Sequence, residues 1–69
     1  MKTKTVGIIG VGLLGSALAS RLINSGLRVY GFDTNERQRE ALSRCGGIAC
    51  DSTAEVVQRC DVLFLSLPS

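Results

Sequence analysis

The stretch VGIIGVGLLGSALASRL, residues 6–22, sets three glycines, Gly10, Gly12 and Gly15, between a strand-like run and a helix-like run. Glycine weakens both kinds of element, so its recurrence at their boundary needs a local reason. Upstream, TVGIIG (5–10) places apolar residues side by side without polar alternation. That pattern suits a parallel strand covered on both faces. Downstream the period changes. Leu14, Leu18 and Leu22 recur every four residues with Leu13, Ala17 and Ile23 alongside, while Ser16, Ser20, Arg21 and Asn24 fall elsewhere on the wheel. This predicts an amphipathic helix with one broad apolar face, ended by Gly26.

A GxGxxG at such a strand-to-helix turn gives each glycine a separate task. Gly10 permits the tight bend, Gly12 lets a pyrophosphate approach bare backbone, and Gly15 lets the helix pack closely on the strand. The helix N-terminus adds unpaired N–H groups and the positive end of its dipole, which hold a phosphate without a lysine. Residues 10–16 contain no Lys or Arg, and the missing Gly-Lys-Ser/Thr element excludes a Walker-type loop.

Working outward, LRVYGF (27–32) predicts a second strand with Asp33 at its end. Asn35 and Gln38 predict the cap of a mostly charged helix, ERQREALSRC, with Ala41 and Leu42 facing inward and Gly46 and Gly47 stopping it. IAC is a brief third strand. Ser52 with Glu55 is a capping box opening TAEVVQRC, and DVLFLSL (61–67) is an apolar fourth strand ended by Pro68. The alternation predicts an α/β fold, a Rossmann-like parallel sheet of order βαβαβαβ with right-handed crossovers. The chain stops directly after a core strand. We therefore expect residues 1–69 to be the N-terminal part of a doubly wound dinucleotide-binding domain, without its substrate and catalytic domain.

Asp33 follows Gly15 by 33 − 15 = 18 positions, close to the ~20 of a dinucleotide fingerprint. From the strand end its carboxylate can accept hydrogen bonds from both ribose hydroxyls of an adenosine, and it would repel a 2′-phosphate. This favours NAD over NADP. Arg37 could swing toward a 2′-phosphate, but its favoured role is that of a solvated helix charge. The competing role for Asp33 is that of a helix cap.

Composition narrows the field further. The net charge is +2 and the basic residues are scattered, which speaks against nucleic-acid binding. Three cysteines, Cys45, Cys50 and Cys60, without CxxC spacing and without any histidine, match neither a disulfide framework nor a metal site. They are expected to be small, partly buried thiols of a reducing cytoplasm. No stretch approaches the ~20 apolar residues of a membrane span.

The run VGIIGVGLLGSALASRLINSGLRVYGFDTN, with the later GGIACDSTAEVVQRCDVLFLSLPS, resembles the start of the β-hydroxyacid dehydrogenase family, the group of 3-hydroxyisobutyrate and 6-phosphogluconate dehydrogenases. The likeness covers nearly the whole chain. The family's Gly-Leu-Gly-x-Met-Gly falls on Gly10, Val11, Gly12, Leu13, Leu14 and Gly15. Val11 and Leu14 depart from it but keep apolar character, and Arg21 stands where the family more often has Asn or His.

The resemblance implies that residues 10–15 and Asp33 bind the cofactor, NAD or else NADP. It also places Leu67 and Pro68 beside the nicotinamide half. It implies hydride transfer between that cofactor and a β-hydroxy acid or its semialdehyde, by a parent enzyme expected to be a homo-oligomer. The family's catalytic lysine and substrate motif have no counterpart before Ser69, so no catalytic residue is assigned. GLLGSALA also resembles prephenate dehydrogenase, and a non-catalytic dinucleotide-sensing module would use the same turn.

Overall fold

In the computed structural model the described residues are 4–65, without the side chains of Leu13 and Leu14. The expected positions Leu67 and Pro68 lie outside them. The elements alternate as the sequence predicts: β1 (Thr5–Ile9), α1 (Gly12–Asn24), β2 (Arg28–Phe32), α2 (Glu36–Arg44), β3 (Ile48–Ala49), α3 (Thr53–Arg59) and β4 (Val62–Leu65). All strand pairs are parallel, and the sheet order is β3-β2-β1-β4. This is the Rossmann-like α/β arrangement, with the chain reversing direction across the sheet between β1 and β4.

Strand alternation sorts the core into two layers. Val6 and Ile8 of β1 and Val29 of β2 meet Ala19 of α1 and Leu42 of α2 on one face, together with Val11. Tyr30 of β2 meets Cys50 and Val56 on the other, with Ile9 and Phe32 beside them. Bare strand positions set how close the helices come. A Cβ on Gly31 would stand 2.5 Å from Leu42 Cδ2, and one on Gly7 would stand 2.7 Å from Val56 Cγ1.

On α1, Leu18, Leu22 and Ile23 pack on the core as expected, and the departures are Ala17, which is exposed, and Gly15 and Ala19, which are buried. The wheel was centred on the large residues, whereas the closest approach to the sheet goes to the smallest ones. A second difference concerns α2. Asn35 caps it as expected, but its Oδ1 accepts from the Arg37 N–H at 2.9 Å. At α3, Ser52 Oγ accepts from Glu55 N–H as the capping box requires. Both α1 and α2 end in paired Schellman bonds: Gly26 N–H to Ile23 and Leu27 N–H to Leu22, then Gly46 N–H to Ser43 and Gly47 N–H to Leu42.

β4 is held at its entry by Asp61, whose Oδ2 accepts from the Thr5 N–H and hydroxyl while its own N–H donates to the Thr5 carbonyl. Beyond that clamp, Val62, Leu63, Phe64 and Leu65 are all exposed. No helix among the described residues is long and apolar enough to cross a membrane.

Among the cysteines Cys50 is buried and Cys45 and Cys60 are half-buried; all three are free. Burial pushes the Cys50 thiol above its ordinary range, and the neighbouring Glu55 carboxylate adds to the shift. The neutral thiol is therefore favoured in the folded state. Its contribution to stability is complete below the ordinary thiol pKa and is lost as pH rises beyond it. Urea midpoints should fall more steeply above that pH in the native protein than in Cys50→Ala. Iodoacetamide should label Cys45 and Cys60 about tenfold faster than Cys50, read by mass spectrometry under native conditions.

Candidate functional site

The turn from β1 into α1 is tied to the end of β2. Gly10 donates its N–H to the Phe32 carbonyl at 2.9 Å, and its φ of +83° makes the bend. Gly15 answers to the protein itself, since a Cβ there would lie 3.0 Å from the Gly10 carbonyl oxygen. Gly12 answers to its own backbone, with a φ of +43° that favours glycine. Among the described residues a Cβ built on it would meet nothing within 4 Å, so the space in front of it is open there.

No side chain caps the N-terminus of α1, and its first turn carries no acidic residue. The N–H groups of Gly12, Leu13 and Leu14 belong to that turn, where an α-helix supplies no acceptors of its own. Val11, at the N-cap, has its side chain fully buried in the core. Its N–H donates to Asp33 Oδ2 at 2.9 Å. Among residues 10–15, then, Val11 faces inward and is linked to Asp33.

Asp33 is held from two sides. Oδ2 takes the Val11 N–H, and Oδ1 takes the Asn35 N–H at 2.8 Å. A carboxylate offers roughly four acceptor positions, so one remains on each oxygen. The helix-capping role weighed for Asp33 falls to Asn35. Asp33 instead closes the turn ahead of the cap and bridges it to the glycine turn.

Sequence inspection passes over Arg39, one cation in a charged helix. Its Nη1 donates to the Asp33 carbonyl oxygen, and its guanidinium lies over the Phe32 ring, 5.8 Å from the centroid. The signal was present in the aromatic directly before Asp33 and an arginine one turn into α2. Arg37, weighed from sequence, is exposed on α2.

Residues 5–69 match the family model described as the NAD binding domain of 6-phosphogluconate dehydrogenase. The chain belongs to this family. This NAD-binding domain is 35% identical over 68 residues to 2-(hydroxymethyl)glutarate dehydrogenase of Eubacterium barkeri, covering 99% of the chain and 23% of the relative. In structure it resembles 3-hydroxyisobutyrate dehydrogenase of Mycobacterium tuberculosis, solved with L-serine, at a TM-score of 0.92 and 27% identity. That likeness covers 97% of this chain and 23% of the other. It also resembles a variant imine reductase of Myxococcus stipitatus in complex with NAD+, at a TM-score of 0.88 and 26% identity over 94% of this chain and 23% of the other. The domain thus spans under a quarter of the length of each of these three relatives.

Proposed function

We propose that the domain holds the adenosine and pyrophosphate of NAD at the β1–α1 turn and the end of β2, as the N-terminal part of a larger oxidoreductase. The observation that carries this is Gly12, a glycine with open space before it among the described residues, at the start of a helix whose N-cap makes no side-chain bond. A side chain would fill the cradle that bare main chain leaves for a dianionic diphosphate. Gly10 shapes the bend and Gly15 sets the helix distance. Gly12, Leu13 and Leu14 offer N–H donors, and Asp33 offers its two remaining acceptor positions to the ribose hydroxyls. Val11 acts through its bond to Asp33. Leu67 and Pro68 take their assignment to the nicotinamide side from the family resemblance.

The bound cofactor supplies the hydride acceptor. What the chain's own residues do is bind and orient it. We further propose that the whole protein transfers hydride between NAD and a β-hydroxy acid or its semialdehyde. The names of the relatives support this, and the catalytic groups would come from residues outside this domain. The same reading makes the protein a cytoplasmic homo-oligomer. The test is a titration of the full-length protein with NAD by calorimetry, followed by NADH absorbance with a panel of β-hydroxy acids. Saturable NAD binding and turnover of at least one such acid are expected. Absence of NAD binding would sink the proposal. Binding without turnover would leave a sensing module in its place.

A further inference from the structure

We infer that Arg39 is a positioning residue that makes the adenosine end selective for a dinucleotide without a 2′-phosphate. The inference rests on the proposed dinucleotide reading of the glycine turn. Asp33 is gripped at three atoms: Oδ2 by Val11 N–H, Oδ1 by Asn35 N–H and the carbonyl oxygen by Arg39 Nη1. The first two donors are main chain. Arg39 is the side chain in the set, and substitution can remove it without touching the backbone.

Its own place is set by the Phe32 ring under the guanidinium. Phe32 is also the residue whose carbonyl receives the Gly10 N–H. One short segment, Phe32–Asn35, therefore joins the bend of the glycine turn, the carboxylate and the first turns of α2. Holding the Asp33 carbonyl fixes the following peptide plane, and with it the direction in which the side chain leaves the backbone.

A carboxylate so held keeps one acceptor position per oxygen, which two hydroxyls could take at little ordering cost. The same rigidity works against a 2′-phosphate. The carboxylate cannot turn away from the added negative charge while both its oxygens are bonded to main chain. The Arg39 guanidinium is itself tied through Nη1 to the Asp33 carbonyl and lies over the Phe32 ring, 5.8 Å from its centroid. Arg39 thus acts on the choice of dinucleotide indirectly, by fixing Asp33.

The experiment is calorimetric titration of the full-length protein and its Arg39→Ala, Arg39→Lys and Arg37→Ala variants with NAD and with NADP. The native protein should prefer NAD. Arg39→Ala should narrow the preference about tenfold, mainly through weaker NAD binding. Arg39→Lys should fall between, since it keeps one donor and loses the planar stack. Arg37→Ala should leave the ratio unchanged. A preference that widens in Arg39→Ala, through loss of NADP binding alone, would make Arg39 a direct phosphate ligand and overturn the inference. An unchanged ratio overturns it too, with the dinucleotide site intact. A native protein that binds neither dinucleotide removes the site itself. Should Arg39→Ala fail to fold, Arg39→Lys carries the ratio, and the amide proton shifts of Val11 and Asn35 must move with it.

Discussion

Gly12→Val should abolish dinucleotide binding while leaving the sheet folded. Among the described residues beyond its own chain neighbours and helix backbone, a Cβ at this position has nothing within 4 Å of it. The fold therefore loses only what a φ of +43° costs a side-chain-bearing residue, about 1–2 kcal/mol. At about 4–8 °C per kcal/mol for a domain of this size, the melting temperature should drop by about 4–16 °C. Binding suffers far more. Two methyl groups would occupy the space where the pyrophosphate must touch bare backbone, and they would screen the first-turn N–H groups of α1. We expect NAD affinity to fall about 100-fold or more, equivalent to about 2.7 kcal/mol.

Gly15→Ala is the matching control with the opposite division. Its Cβ would press against the Gly10 carbonyl oxygen at 3.0 Å, so the melt should suffer at least as much, and any loss of binding should follow from the displaced turn. Thermal melts and NADH fluorescence titrations on the pair would separate the two roles. Normal NAD affinity in Gly12→Val would remove the pyrophosphate from this turn altogether.

These two glycines also mark what the sequence could and could not reveal. Their spacing after an apolar run and before a four-residue leucine period was sufficient to place the turn and the helix. The order of seven elements followed from alternation alone, because each strand is short, mostly apolar and closed by a glycine, a cap or, for the last, a proline. The packing glycines were not legible in the same way. Gly7 and Gly31 interrupt strands, and nothing adjacent in sequence says that Val56 and Leu42 stand over them. Ala19 likewise reads as filler until the helix axis is seen lying close to the sheet. The Val11–Asp33 bond joins residues 22 positions apart, and Arg39 reaches back across the elbow to Asp33. Contacts of this kind arise from the register Ile9↔Phe32, which places the exits of β1 and β2 side by side. Composition and periodicity carry no record of that pairing.

The second large effect is expected at Asp33, and the choice of substitution decides what is learned. A carboxylate accepts at both oxygens, whereas an amide accepts at one and donates at the other. Asp33→Asn can therefore satisfy only one of the N–H groups that Asp33 now serves. The amide oxygen should turn toward Val11, whose N–H is part-buried, and leave its nitrogen facing the exposed Asn35 N–H, which water can reach. The folding cost should be about 1 kcal/mol. Asp33→Ala removes the acceptor from both. It leaves the part-buried Val11 N–H unpaired and should cost about 1–3 kcal/mol, so the melts should order native, Asn, Ala.

For the ligand, both variants lose an acceptor for the ribose hydroxyls and both lose the negative charge. NAD affinity should drop about tenfold in Asp33→Asn and further in Asp33→Ala, at about 1.4 kcal/mol for each factor of ten. NADP affinity should hold or rise in both, since the charge that repels the 2′-phosphate is gone. Equal melts for all three proteins would mean that the bridge between the glycine turn and β2 contributes nothing to the fold. NADP binding that weakens alongside NAD would mean that Asp33 shapes the site through that bridge, with its charge playing no part in the discrimination.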